Sequence, residues 1–403
     1  MTYYYVVSGV NGIGESANSD QAGVTLSSGG GNINIDDYGA LGNGTTNDGP
    51  AIQNCLNANP GRTIIFTSSK NYRADSLTVS EGTIISGYGS KISARSDNNI
   101  FIMSKNAQIK GLEIVGNNFT NGFDCDEDNH NTRACGVYAV DVNGVVVQDC
   151  NIHNIGFTGV FLFGGCSNCL ITNNVIKYFG YCGIQLRCFG WTGIKQDAAN
   201  DIISYNNIEL NCDNSVTGSE FGIFLWGFDG DNPLNKHIMN ISVDHNTVLD
   251  HTTTYSNCIW ASSGRYIHFT NNTVTESDGF GTDYTIGMEA CWESEFIHNI
   301  VTNGYPCGIA VYNFKGDGTG ACQDMIVRDN LVTYTPVANI DITVLPIGCI
   351  RDCWGNNGTV TLSGNTYHIN NPNVQQTVGF DHSPVSSPGY KKTPGYIYTP
   401  PAF

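Results

Sequence analysis

The sequence predicts an all-β fold, a right-handed parallel β-helix with three strands per coil and a short N-terminal capping helix. Three observations carry the prediction. The motifs DCNI, TNNVI, YNNIEL, HNTVL, NNTV, HNIV, DNLV and GNTY recur and place Asn151, Asn174, Asn207, Asn246, Asn272, Asn299, Asn330 and Asn365 at equivalent points. Their intervals are 23, 33, 39, 26, 27, 31 and 35 residues, the pattern of one structural coil with insertions on one side. Alternating segments such as VVVQD, ISVDH and MIVRD precede each Asn, a short apolar pair and a third alternating segment follow, and helical periodicity is nearly absent. Asparagines at one turn of successive coils read as a ladder, bonding each other's amides and tolerating the bent backbone of the turn.

The elements follow in chain order. Residues 1–31 carry TYYYVVSGVNGIGESANSDQAGVTL and a Gly/Ser linker. The first of these resembles the last two strands of a bacterial fibronectin type III domain. A full sandwich of that type takes about 100 residues, so the segment is expected to be the remnant of an upstream module. The resemblance implies a secreted carbohydrate-active protein. The opening residues lack the basic and long apolar regions of a signal peptide, which is expected to have stood upstream.

Residues 32–403 are expected to form the β-helix catalytic domain. NINIDDYGALGNGTTNDGPAIQNCLNA, residues 32–58, resembles the opening segment of the pectin-lyase-like β-helix superfamily, in which a short strand and a D-Y-G-A turn lead into a helix capping the solenoid. Members are polysaccharide lyases, glycoside hydrolases, epimerases and phage tailspikes, so the resemblance implies the fold and, more loosely, polysaccharide chemistry. Asp36 and Asp37 in this segment read as structural. At the far end, HSPVSSPGYKKTPGYIYTPPAF reads as an extended strap that shields the last coil from edge pairing.

Charge and composition narrow the partners. The net charge of −18, from 18 basic and 36 acidic residues, argues against nucleic acid or an anionic membrane as a partner. No apolar run is long enough to span a bilayer. Fifteen cysteines point to an oxidising, extracellular compartment and to disulfides, with the odd count leaving one thiol over. No Ser/His/Asp signature, P-loop or dinucleotide fingerprint is present. The expected partner is a polysaccharide, bound by a monomer.

The candidate site comes from overlaying the third strands: GVYAV (136–140), GVFLF (159–163), GIQLR (183–187), GIFLW (222–226), CIWAS (258–262), TIGME (285–289) and GIAVY (308–312). Second and fourth places are apolar and point inward; third and fifth places point out. The outward set holds Tyr138, Phe161, Phe163, Gln185, Arg187, Phe224, Trp226, Trp260, Glu289 and Tyr312. It is expected to form an exposed aromatic surface suited to pyranose rings. The alternative is that insertions fold back and cover it.

Glu289 is the only carboxylate at an outward place. Asp229 and Asp231 follow Trp226 two coils away, roughly 10 Å at backbone level, and side chains can narrow this toward the ~6.5–9.5 Å of an inverting acid–base pair. Glu220 and Asp283 form a second pair at the other edge. Glu289 and Asp229 are preferred, because aromatics and Arg187 surround them and apolar neighbours raise the pKa of an acid catalyst. The substrate-binding set is Arg187, Gln185, Phe224, Trp226, Trp260, Tyr312, Tyr138 and Phe161.

The function expected from these residues is hydrolysis of a neutral or weakly charged glycan, with no cofactor required. A lyase acting on a uronate polymer with calcium is the second reading, with Arg187, Arg265, His251, Lys315 and Tyr312 as sources of base and carboxylate partner. The G-H-G and R-I-K motifs of polygalacturonases and the D-P-H-E motif of alginate epimerases are missing. A non-catalytic glycan-binding β-helix is the third. Calcium has one candidate loop, DCDEDNHN, where Asp124, Asp126 and Asp128 alternate as in an EF-hand but without its sixth-place glycine and twelfth-place glutamate.

Overall fold

A computed structural model of the protein describes residues 2–5, 10–11, 14–15, 22–25, 31–117, 134–188, 197–210, 221–227, 237–251, 257–276, 285–303, 307–312, 321–334, 348–353, 359–369 and 380–381. The chain winds into a right-handed parallel β-helix whose three sheets contain 11, 11 and 13 strands. Each strand pairs in parallel with its equivalents one coil before and one coil after, as Cys182–Arg187 does with Thr158–Phe163 and Phe221–Trp226. Inward residues stack along the axis: Ile109, Val147, Ile171, Ile203, Val243 and Phe269 all have no exposed surface.

The capping helix spans Gly49–Ala58, with Pro50 in its first turn, and buries Ile52, Cys55 and Leu56. Its approach is pinned by two acids. Asp36 accepts hydrogen bonds from Thr67 Oγ1 at 2.7 Å, Lys70 Nζ at 2.7 Å and Tyr72 Oη at 2.8 Å. Asp48, 1% exposed, accepts from the Leu41 N–H at 2.7 Å and the Arg73 N–H at 3.1 Å. Asp36 is thus structural, as the sequence suggested. Near the N-terminus, Thr2–Tyr5 pairs antiparallel with Ala22–Thr25, and Val10–Asn11 with Gly14–Glu15.

The asparagine ladder is present, with two members displaced by one residue. It runs Asn174, Asn206, Asn246, Asn272, Asn299, Asn330, Asn365, each Oδ1 accepting the backbone N–H of the member one coil before. Asn206, 1% exposed, replaces the expected Asn207, which is exposed. In place of Asn151 stands Cys150, whose N–H donates to Asn174 Oδ1 at 2.9 Å. The register is set by distance to the inward apolar residue, two places on, and by the residue just before the ladder. Asn173, Tyr205, His245, Asn271, His298 and Asp329 all have φ between 53° and 56°, the left-handed region that turns the chain. A second, exposed column of the same conformation, Asn168, Asn200 and Asn240, was not anticipated; Asn240 Nδ2 donates to Asn200 Oδ1 at 2.8 Å.

Cys55, Cys150, Cys166, Cys169, Cys188 and Cys258 are buried and outside any disulfide. Here the expectation of disulfides fails, because these side chains fill inward positions as small apolar groups; burial pushes the Cys150 thiol up to about 12. Asp201 lies among them, 1% exposed, accepting the Cys169 N–H at 2.7 Å. Burial raises its carboxyl to about 7. Since the folded value lies above the unfolded one, this group's contribution to stability is fully present below about pH 4 and is lost as pH rises through 7. Asp201→Asn keeps the acceptor and removes the charge. It is expected to raise the urea midpoint at pH 8 relative to the parent and to leave it nearly unchanged at pH 4. Among the described residues no helix is long and apolar enough to cross a membrane.

Candidate active site on the outer sheet

The predicted site falls on seven consecutive strands of one 11-stranded sheet, Val137–Val140, Thr158–Phe163, Cys182–Arg187, Phe221–Trp226, Asn257–Ser262, Ile286–Glu289 and Cys307–Tyr312, paired in sequence order. Register places Tyr138, Phe161, Gln185, Phe224, Trp260, Gly287 and Ala310 in one outward column. Val140, Phe163, Arg187, Trp226, Ser262, Glu289 and Tyr312 form the next. Every outward assignment made from the sequence holds.

Their exposure does not. Phe161, Phe163, Phe224 and Trp260 are 2, 5, 7 and 7% exposed, and Gln185 and Arg187 are 0 and 5% exposed. Together with Phe157, Tyr181 and Cys182 these aromatics make a second apolar cluster on the outside of the sheet. Large rings bury some 150–250 Å² each, and leaving so many open to water costs more than covering them. Partial exposure remains at Tyr138 and along the fifth-place edge, at Val140, Trp226, Glu289 and Tyr312. The open aromatic platform is therefore reduced to an edge.

Glu289 sits on that edge. Ser262, its register partner one coil before, donates its hydroxyl to Glu289 Oε2 at 3.0 Å, and the Trp260 side chain also hydrogen-bonds the carboxylate. Burial outweighs both and lifts the carboxyl to about 7. Tyr312 is its partner one coil after, and the Trp260 and Tyr312 rings meet edge to face, centroids 6.0 Å apart at 64°. Trp260 can lean this way because its neighbour is Gly287: a methyl group there would lie inside the indole ring. Gly287→Ala is accordingly expected to displace Trp260, loosen the Glu289 carboxylate and, by opening it to water, lower its pKa toward the ordinary range, read as a lower titration midpoint of the Glu289 carboxyl carbon by NMR. Farther along the edge the Arg187 guanidinium lies over the Trp226 ring, 4.1 Å from its centroid, a cation–π contact.

Of the predicted catalytic set, Glu289 is the one the structure describes; Asp229, Asp231, Glu220 and Asp283 lie outside the described residues, as do the calcium candidates Asp124, Asp126 and Asp128. Among the described residues no group of three or more His, Cys, Asp or Glu is arranged to hold a metal ion. Sequence reasoning missed Ser262 and Gly287, although the register rule that found Glu289 also assigns both. It missed the Phe157–Tyr181 stack, centroids 5.1 Å apart and 1° from parallel, because these residues precede the strand pattern. It also missed Asp250 and Glu276, register partners 2 and 3% exposed at the turn that leads into these strands, beside Cys258 and Thr285.

No protein-family model matches the chain. A capsule-specific depolymerase of Klebsiella phage K64-1 is 26% identical over 224 residues, 46% of this chain and 27% of that protein. The match thus takes in about a quarter of that relative's length. Among solved structures, the surface adhesin PfbA of Streptococcus pneumoniae superposes with a TM-score of 0.63 at 12% identity, over 88% of this chain and 93% of that one. A family 28 exopolygalacturonase of Yersinia enterocolitica gives 0.59 at 13% identity, over 94% and 82%. An α-1,3-glucanase of Streptomyces thermodiastaticus gives 0.57 at 14%, over 87% and 69%. At these identities the likeness is one of fold.

Proposed function

We propose that this chain is an extracellular polysaccharide-cleaving enzyme, a glycoside hydrolase in which Glu289 is the general acid. The observation that carries the reading is Glu289 itself: the one carboxylate in outward register on the strands from Val137–Val140 to Cys307–Tyr312, between Trp260, Ser262 and Tyr312, with a carboxyl raised to about 7. A carboxylic acid still protonated near neutrality can give its proton to a glycosidic oxygen as the C–O bond breaks. In the inverting arrangement a second carboxylate then removes a proton from water attacking the opposite face of the sugar. Asp229, two coils away by sequence register, is assigned that role. Trp226 and Tyr312 supply partly exposed rings on either side along the edge. The depolymerase and glycosidase relatives support a glycan as substrate, and a net charge of −18 favours a neutral or weakly charged one.

The test is a polysaccharide panel containing α-1,3-glucan, polygalacturonate and a Klebsiella capsular polysaccharide. New reducing ends without the ultraviolet absorbance of an unsaturated uronate are expected, and EDTA should leave the rate unchanged. Absorbance that EDTA removes would replace hydrolysis by calcium-dependent elimination. Binding without any cleavage would leave a glycan-binding β-helix.

A further inference from the structure

We propose that Gln185 is the polar floor of a sugar subsite on the outer sheet, taking a neutral pyranose through neighbouring hydroxyls; this rests on the glycan-cleaving reading above. Gln185 has no exposed surface, and neither its Oε1 nor its Nε2 has a hydrogen-bond partner. Leaving a buried amide unpaired costs about 1–3 kcal/mol per group. Native chains seldom carry such groups, and those that persist call for an explanation such as a ligand that completes them.

The surroundings name the ligand. In register on either side are Phe161 and Phe224, 2 and 7% exposed; the Phe221 ring is stacked on Phe224, centroids 4.0 Å apart and 9° from parallel, and a sugar ring with its flat C–H face would take that place. A primary amide presents one acceptor and a two-hydrogen donor side by side. Adjacent ring hydroxyls, each able to donate and accept, satisfy both at once. A carboxylate would leave Oε1 facing another acceptor, so the floor selects a neutral sugar. Gln185 is three strands from Glu289 along the sheet, about 14 Å, which places the subsite several sugars from the bond that breaks. It is closed in this structure, so an entering ring takes the place of the groups packed over it.

The experiment substitutes Gln185→Met, close in shape and apolar, with Gln185→Leu as a second variant. Melting temperature, kcat and KM are measured on the panel of α-1,3-glucan, polygalacturonate and Klebsiella capsular polysaccharide. Stability and affinity are expected to move in opposite directions: Tm rises by about 1–3 °C as the unpaired amide disappears, while binding weakens, KM rising about tenfold for the loss of roughly one hydrogen bond, and kcat changes less. If the parent cleaves a glycan and both variants keep its KM, the subsite is overturned and the hydrolase reading stands. If Tm falls in both variants, the amide makes structural bonds in the free protein and the subsite is overturned whatever KM does. If the parent neither binds nor cleaves any member of the panel, the glycan reading itself fails, and the subsite with it.

Discussion

Glu289→Gln is expected to lower kcat by about 10²–10⁴-fold, the usual contribution of a positioned general acid, without unfolding the protein. The amide keeps the shape of the carboxyl and the oxygen that accepts from Ser262, but it has no acidic proton to give. The pH dependence follows from the same burial. In the parent, the protonated form dominates below about 7 and is lost as pH rises through that value, so activity should have an alkaline limb there. Stability moves in the same window. The folded pKa lies above the unfolded one near 4.3, so the stability this group contributes is complete at low pH and disappears as pH rises through 7. The Gln variant should therefore match or exceed the parent's Tm at pH 8 while being nearly inactive at every pH. Full activity in the variant, or an alkaline limb that survives the substitution, would remove Glu289 from the role of acid and return the assignment to the carboxylates at the other edge.

The coil and its register were legible because period-two alternation and the side-chain volume of the inward places are strict in a parallel sheet buried on its inner face. GIFLW reads correctly from that rule alone: Ile223 and Leu225 have no exposed surface inside, and Phe224 and Trp226 stand outside. The same rule finds Glu289, Ser262 and Gly287 from one alignment. What it cannot supply is the environment of the outer face. Alternation says that Phe161 points away from the solenoid, and it is silent on whether water or protein meets it there. Its 2% exposure depends on contacts outside the strand repeat. The one-residue error at Asn207 has a different origin. In YNNIEL two asparagines adjoin, and composition alone does not distinguish the buried ladder place from the exposed one beside it; the left-handed Tyr205, which fixes the choice, leaves no mark in residue type. The six cysteines described above misled for a related reason, since a count reports compartment chemistry while the solenoid uses these as small inward groups.

The ladder sets the largest expected loss of stability. Asn246 Oδ1 accepts from both the backbone N–H and Nδ2 of Asn206 at 3.0 Å, and its Nδ2 donates to the Ile203 carbonyl at 2.8 Å and to Asn272 Oδ1 at 3.1 Å. Asn246→Ala strands the two Asn206 donors inside the solenoid. At about 1–3 kcal/mol for each buried unpaired group, the loss should be roughly 2–6 kcal/mol, read as a fall in the urea midpoint. Asn200→Gly, in the exposed column, breaks bonds of the same kind where water replaces them while glycine keeps the left-handed backbone, and should change stability by no more than about 0.5 kcal/mol. The pair of variants separates burial from hydrogen bonding as the source of the effect; equal losses would mean that the hydrogen bonds count for as much where water can replace them as where it cannot. Because each coil touches only its neighbours, solenoid stability is close to a sum of coil and interface contributions. The damage from Asn246→Ala should therefore be local at first. Hydrogen exchange is expected to rise in the coils around residues 203–210 and 241–250 before it rises near the capping helix, with the unfolding transition broadening as the two halves of the solenoid lose their coupling.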